Sequence, residues 1–489
     1  MEKKTRKIVR TDGIDRVSNL PDDVLVQILL LVPTEEALAT GSLSKRWKSL
    51  STLLPVLDLD YYRFYGRFNS GSWDDRKKRF LDFLEHVFSL YELKPLQKLR
   101  LAFDTDDYDD FSTKVSRLVR LAMETNCLNI EFNFCRTTSM WFPEYDEMYV
   151  LPACVFPHQS VSQLKFTGCK FVPSFYKSFA SVNIVMFTNV ELLKDSVYDL
   201  VSKCPCLEEL HLLHCQIPSS FFELNAPESS LKCLVLESCL GNKGLSFEHA
   251  SIHIPTLLQL KYRGNFRSGY LSICNSENLI EAEISISYDP LYEHKLICKL
   301  VKNLLNVTSL TLSPSNLQVL DTNGGLTLLS PLNNLKHLIV KLRQVDKELS
   351  GLICLLRSSP YLETLSVDCH PYFETNDEIL SGVYIVYEEV VQQPHVLPSR
   401  GVANLMRIKI ENFQGLKVEM EFVKHILRSS LCLKEMVICI HSRYYYLEMR
   451  MKMITGDDHY KYLKIKKAET IKSLLACTPA SPDARILLE

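Results

Sequence analysis

The densest group of metal-binding and nucleophilic side chains in the sequence is CPCLEELHLLHC, which holds Cys204, Cys206, His211, His214 and Cys215. Thiolates and imidazoles are zinc ligands, but a closed zinc site wants paired ligands at CxxC-type spacing on a turn. Here the alternation is that of a strand: Leu210 and Leu212 share one face and His211 takes the other. The stretch is therefore expected to hold no metal. A second group, DTDDYDD from Asp104 to Asp110, has the carboxylates of a calcium loop. It lacks the sixth-position Gly and the twelfth-position Glu, where Val115 stands instead, and reads as a solvated loop. No GxSxG, Walker or Rossmann phosphate-binding phrase occurs, and no Cys has a spacing that marks a nucleophile. The chain is expected to be non-catalytic and to need no cofactor.

The strand carrying His211 belongs to a series. LQKLRL, CLNIEF, VSQLKF, VNIVMF, LEELHL, LKCLVL, LLQLKY, LIEAEI, VTSLTL, LKHLIV, LETLSV, LMRIKI and LKEMVI begin at residues 96, 127, 161, 182, 207, 231, 257, 279, 307, 335, 362, 405 and 433, with apolar residues at positions one, four and six. In a chain that is 46% hydrophobic a single such phrase means little, so the spacing carries the inference. It is roughly 20 to 35 residues with one longer gap, the period of leucine-rich repeats. The ninth position of that pattern wants Asn or Cys turned into the core, and here it holds Cys135, Cys169, Cys215, Cys239 and Asn265. The later repeats lack this mark and are expected to be less regular. Helical lead-ins such as SVYDLVSKCP and SGLICLLRSSP supply the other wall of each unit, and stacked units give a curved solenoid with a parallel sheet on its concave face.

Positions three, five and seven of each phrase leave the sheet on the side away from its core. His211, Lys261, Arg263, Glu281, Glu283, His337 and Lys341 then make a mixed-charge strip, a candidate surface for a protein target. The alternative is that Lys261 simply faces Glu283 on the next strand, an exposed pair with no partner role.

Ahead of the array, the segment from Asp15 to Leu50 is too short to fold alone yet rich in apolar residues. Pro21 suits a first helical position, with Asp22 and Asp23 at the positive end of the helix dipole. Val24, Leu25, Ile28, Leu29, Leu31 and Val32 then cover more than one face, leaving an apolar side without a partner in the segment. Pro33 stops this helix, Thr34 can cap a second, and Ser44 a third that carries Trp47 and Leu50.

DRVSNLPDDVLVQIL, VPTEEALAT and LSKRWKSL followed by PVLDLD closely resemble the F-box of plant F-box proteins, in order and across about 45 residues. Two positions depart from that pattern: Ser51 stands where a second Trp is common, and Gly41 where Ser or Cys is usual. The resemblance implies docking onto a SKP-like adaptor, and through it a cullin-RING (SCF) ubiquitin ligase. The contacts it implies are Leu20, Pro21, Leu25, Ile28, Leu29, Pro33, Thr34, Leu43 and Trp47. At the other end, LPSRGVANLMRIKIENFQGLKVEMEFVKHILRSSLCLKEMVICI and LLACTPASPDARI resemble the FBD domain that follows F-box and leucine-rich repeats in plant proteins. The charged RMKMITGDDHYKYLKIKK between them reads as an exposed loop.

The expected fold is thus α/β: a basic tail (1–11), a three-helix F-box (12–60), leucine-rich repeats (61–380) and an FBD-type cap (381–489). The function this implies is substrate recognition for a ligase, with an unnamed protein as target; a protein-binding or small-molecule-sensing module outside any ligase is the alternative. A net charge of -2 argues against nucleic acid or an anionic membrane as the main partner, since both need a concentrated basic surface. The start, MEKKTRKIVR, is either a nuclear-import signal or a solvated tail. With neither a secretory signal nor a spanning segment, a cytoplasmic or nuclear place is expected. The 16 cysteines are then expected to be thiols, and the NVT sequon at Asn306 to go unglycosylated.

Overall fold

The computed structural model describes residues 17, 19–67, 73–91, 94–103, 113, 116–122, 126–134, 148–151, 161–172, 179–266, 270–287, 300, 303–321, 331–342, 345–369, 402–413, 415, 417–440 and 471–489. The basic tail, Asp104 to Asp110, Cys135, the charged 450–467 segment and the 380/381 boundary lie outside them. The chain forms two compact units, Met1–Glu191 and Leu192–Glu489.

The first unit opens with α1 (Asp22–Leu29), α2 (Thr34–Ala39), a 3₁₀ turn at Thr40–Ser42 and α3 (Lys45–Ser51). Then come β1 (Val56–Asp60), α4 (Tyr61–Arg67), α5 (Trp73–Tyr91), β2 (Leu96–Ala102), β3 (Cys127–Asn133), β4 (Gln163–Thr167) and β5 (Ile184–Thr188). These strands pair in chain order and all in parallel. Pairing aligns the fourth phrase positions, Leu99 with Ile130, Leu164 and Val185, so one apolar row runs across the strands. At the sixth position Phe132, Phe166 and Phe187 stack face to face with centroids 5.5 Å apart, and all three are fully buried. Aromatic stacking at this spacing adds to the burial each ring contributes.

The second unit continues with α6 (Ser196–Lys203), β6 (Glu209–Leu213), β7 (Cys233–Glu237), β8 (Gln259–Asn265), β9 (Glu281–Ser287) and β10 (Ser309–Leu312). It ends with α7 (Pro314–Asp321), β11 (His337–Leu342), α8 (Val345–Ser358), β12 (Thr364–Cys369), β13 (Arg407–Phe413), α9 (Lys417–Ser429), β14 (Glu435–Ile440) and β15 (Arg485–Leu488). Again each strand pairs in parallel with the next along the chain. Every recurring phrase is a strand. β1 and β15 add one at each end of the series that the phrase pattern does not capture, and the FBD-like region carries the ladder on through β13, β14 and β15.

The chain leaves several of these strands through a left-handed residue at the eighth phrase position: Gly168, Asn189, His214, Ser238 and Asn412 have φ between 51° and 71°. Such a residue reverses the backbone and turns the next side chain inward. Cys169 and Cys215 are accordingly buried, and the Cys239 thiol donates to the Leu212 carbonyl at 3.3 Å. Asn265 breaks the expected pattern: β8 stays extended through this position, and its side chain is exposed.

The helical wall also differs from expectation. Between β6 and β9 its place is taken by a second parallel sheet, Phe221–Asn225, His249–His253 and Leu271–Cys274. FFELN, HASIH and LSIC alternate with period two, burying Phe222, Leu224, Ala250, Ile252, Leu271 and Ile273 on one face, which a helix cannot do. Where helices remain they pack closely. A Cβ on Gly351 of α8 would lie 2.1 Å from the Leu317 carbonyl oxygen of α7, so no larger residue fits that crossing.

Candidate functional site

The N-terminal helices pack around Leu25, Leu29, Ala37, Trp47, Leu50 and Leu54, with Leu20, Val26, Leu30 and Leu38 closing the rim. Pro21 (ψ 152°) and Pro33 (ψ 142°) are the residues just before α1 and α2, so α1 starts one place later than the sequence suggested and α2 one place earlier. Thr34 is therefore inside α2 and does not cap it, which frees its hydroxyl for another partner. Ser44 does cap α3, its hydroxyl accepting the Trp47 N–H at 3.3 Å. Arg46 ties α3 to the start of α1 by donating to Asp22 Oδ1 and to the Leu20 carbonyl, each at 2.6 Å. The two departures from the F-box pattern meet in space: a Cβ on Gly41 would lie 3.2 Å from Ser51 Oγ, so the two small residues fit one another and α3 keeps its full length.

This packing divides the nine expected docking contacts. Leu25, Leu29, Thr34 and Trp47 are buried within the module, where they hold its shape, and as placed they offer no surface to a partner. Leu20 is half-buried at the rim. Pro21, Ile28, Pro33 and Leu43 face solvent, Leu43 being 68% exposed. Beside them the helices also expose Val24, Val32 and Leu31, the last at 85%. The reason is helical geometry: Leu25 and Leu29 sit four apart on the core side, while Val24, Ile28 and Leu31 sit four and three apart on the other. An exposed apolar strip on so small a module is a candidate binding surface.

The module is bound to the elements that follow it by buried and partly buried hydrogen bonds. Thr34 Oγ1 accepts the Asp58 N–H at 2.9 Å and Glu35 Oε1 accepts the Asp60 N–H at 3.2 Å. Both N–H groups belong to β1, which among the described residues pairs only with β2, so α2 closes an open sheet edge. Tyr91 of α5 donates to the Ser51 carbonyl at 3.0 Å, and burial pushes its phenol up to about 12. Lys94 donates to the Thr52 carbonyl at 3.0 Å. On the outer face of the same strands, Asp58, Arg100, Glu131 and Lys165 lie side by side. Arg100 Nη1 is 2.8 Å from Asp58 and 2.9 Å from Asp60. Burial alone would raise Asp58; Arg100 and Arg63 outweigh it and hold the carboxyl below its usual range. Glu131 is lowered in the same way, burial being overcome by Lys98, Lys165 and Arg100.

The strip expected to face a target lies on the outward side of the second unit's sheet. Cross-strand pairing sets Glu281 beside His337's neighbour Ser309, and Lys261 beside Glu283. Lys261 is 3.3 Å from Glu283 and Arg263 is 2.7 Å from Glu237, with Arg263 also 3.6 Å from Glu283. Lys261 faces Glu283 across the strands, and Arg263 is held by the same carboxylates. His211 sits 3.5 Å from Glu209, and His337 Nδ1 lies 2.8 Å from Thr364 Oγ1. Lys341 is beside Asp368 on β12.

Sequence reasoning missed one set of residues that organises the array. Asn278, Asn306, Asn334 and Asn404 stand just before their phrases and donate to backbone carbonyls of the preceding repeat, those of Pro255, Glu277, Leu305 and Pro360. The signal was an Asn immediately ahead of the first apolar residue. Asn306 is thereby given a structural role, its side-chain amide donating to the Glu277 carbonyl at 3.2 Å. In the cysteine-rich stretch, Cys204 is buried and its thiol is pushed up to about 12 by burial and by Asp199, while His214 occupies the left-handed turn position. Among the described residues no group of three or more His, Cys, Asp or Glu is arranged to hold a metal, every described cysteine is free, and no helix is long and apolar enough to cross a membrane.

Three packed helices closing the edge of a parallel ladder of leucine-rich phrases define an F-box joined to a leucine-rich-repeat array. Comparison with family models agrees: the F-box domain matches residues 17–59, and the At1g61320/AtMIF1 LRR domain matches residues 96–469. The chain belongs to the F-box/LRR-repeat family. It is 28% identical over 447 residues to the Arabidopsis thaliana F-box/LRR-repeat protein At3g58880, covering 87% of this chain and 92% of the relative. F-box/LRR-repeat protein At1g48400 of the same plant is 25% identical over 481 residues (89% and 94%), and F-box/FBD/LRR-repeat protein At5g22660 is 23% identical over 453 residues (88% and 91%).

Proposed function

We propose that this chain is a substrate-recognition subunit of an SCF-type ubiquitin ligase, non-catalytic itself, whose F-box docks a SKP-like adaptor and whose repeats and FBD-type end hold a protein target. The observation that carries this reading is the apolar strip of Val24, Ile28, Leu31, Val32 and Leu43 on a module hydrogen-bonded to the first repeat strand. Anchorage of this kind makes the docking module and its neighbouring strands one body, so a docked adaptor holds a fixed position relative to them. The mechanism is positional: target and charged conjugating enzyme are kept in one assembly at raised effective concentration, while other subunits perform the transfer.

The closing of the β1 edge by Thr34 and Glu35 favours a second reading, in which the helices serve only as a cap for a binding array outside any ligase. Capping does not account for the apolar side chains that the helices leave exposed to solvent. The two readings part in affinity purification followed by mass spectrometry, comparing wild type with Ile28→Asp/Leu31→Asp, a change confined to exposed residues. A ligase subunit returns adaptor, cullin and target from wild type and target alone from the variant. Recovery of a target with no adaptor from either chain would leave the cap reading standing.

A further inference from the structure

The two ends of the ladder are finished differently. At β1 the outward N–H groups of Asp58 and Asp60 are taken by Thr34 and Glu35. At the far end, the N–H of Arg485 donates to Lys434 O at 3.0 Å, the N–H of Glu489 to Ile438 O at 3.0 Å, and the Glu489 carbonyl accepts from Ile440 at 2.8 Å. Bonding direction alternates along a strand, so the N–H and C=O groups of Ile486 and Leu488 point away from β14. Among the described residues nothing pairs with them. Ile486 and Leu488 are also half-exposed, whereas Met436 and Ile438, their neighbours on β14, are fully buried. An open edge with apolar residues beneath it is a template for another strand.

We propose that the β15 edge pairs, antiparallel, with the same edge of a second copy of this chain, about a twofold axis at Leu487. Twofold symmetry makes two copies of one edge strand run in opposite directions, and the residue types fit that arrangement. With Leu487 opposite Leu487, Ile486 faces Leu488 of the other copy, and these are the residues whose hydrogen-bonding groups point outward. Each such pair exchanges both its N–H···O bonds. On the outward face Arg485 then lies opposite Glu489, and symmetry supplies this ion pair twice. Sliding the register by two residues sets Arg485 opposite Leu487 and leaves the charges unmatched. Glu489 Oε2 accepts from the Cys439 thiol at 3.5 Å and lies within electrostatic reach of Lys409, and its two oxygens keep lone pairs for a further donor. Arg485 sits between Glu435 on β14 and Glu489 of the second copy. On the core side, the half-exposed Ile486 and Leu488 cover one another. The contact is short, so the dimer is expected at micromolar concentrations and above, at the small end of specific interfaces.

The test is the mass of the full chain by size-exclusion chromatography with light scattering, over roughly 1 to 200 µM. The proposal expects a rise from the monomer mass towards twice that value. Arg485→Glu and Glu489→Arg each oppose like charges and should raise the dissociation constant roughly tenfold or more, whereas Arg485→Glu/Glu489→Arg re-matches the pair and restores it. Ile486→Pro removes an outward donor while sparing the bonds to β14, and should leave a monomer. A chain that stays monomeric throughout overturns the proposal, as does a dimer indifferent to the single charge reversals. Ile486 and Leu488 amides protected from exchange at every dilution would place residues of the same chain, 441–470 included, over the edge and would equally refute it. None of these outcomes depends on adaptor binding.

Discussion

The bond between Thr34 and β1 can be removed almost alone. Thr34→Val keeps the shape of the side chain and deletes the hydroxyl that accepts the Asp58 N–H at 2.9 Å. Thr34 is 6% exposed, so water does not readily replace it, and a buried N–H left without an acceptor costs about 1–3 kcal/mol. Since about 1.4 kcal/mol is tenfold in an opening equilibrium, exchange of the Asp58 amide should accelerate by roughly tenfold to a hundredfold. Native-state hydrogen exchange reads this directly, with the Ile130 amide in β3 as the internal standard and Thr34→Ser, which keeps the hydroxyl, as the near-silent control. Unchanged exchange at Asp58 would show that the hydroxyl does not close the edge. An equal rise at Asp58 and Ile130 would mean general loosening and would refute the argument that the module is fastened at this point.

Three further outcomes are expected. Alkylation of the native chain near pH 8 should reach exposed Cys206 well before buried Cys204, whose thiol is held at about 12 and so is almost wholly protonated; equal rates by peptide mapping would contradict its placement. Chelator treatment should leave Tm unchanged, and a stoichiometric metal content in purified protein would overturn the strand reading of Cys204 to Cys215. Asp58 and Glu131 have folded pKa values below their usual 3.8 and 4.5, so the stability they contribute is full above those values and is lost as pH falls through the lowered folded ones. Arg100→Leu removes a shared counter-charge and should weaken the first unit already at pH 7 while flattening the acid side of its stability curve, as followed by urea unfolding across pH; an unchanged curve would refute the charge-row assignment.

The ladder was legible in the sequence because stacking imposes one geometry on every repeat. A strand that must bury positions four and six against its neighbours leaves the same apolar phrase each time, and each of the phrases is a strand. The terminal strands were not legible as members of the series: β1 has a helix where a preceding strand would be, and β15 has no following strand among the described residues. The outer wall was read too uniformly, since FFELN, HASIH and LSIC hold a period-two pattern over only a few residues each. In the docking module, helical spacing showed that apolar residues cover two sides. It did not say which side faces inward, because Leu25 with Leu29 and Val24 with Ile28 are equally good i, i+4 pairs. That choice is made by Trp47, Leu50 and Leu54, which pack against the first pair and leave the second to solvent.

Calorimetric titration of the purified full chain with a purified SKP-like adaptor tests docking through the exposed helical strip most directly. Wild type should bind at one-to-one stoichiometry. Ile28→Asp/Leu31→Asp should keep the wild-type circular dichroism and Tm, because both residues are exposed, while losing at least about a hundredfold in affinity, as buried interface anchors cost about 2 kcal/mol or more each. Wild-type affinity in that folded variant, or no heat of binding from wild type itself, would contradict the claim that this strip is where the chain joins a ligase.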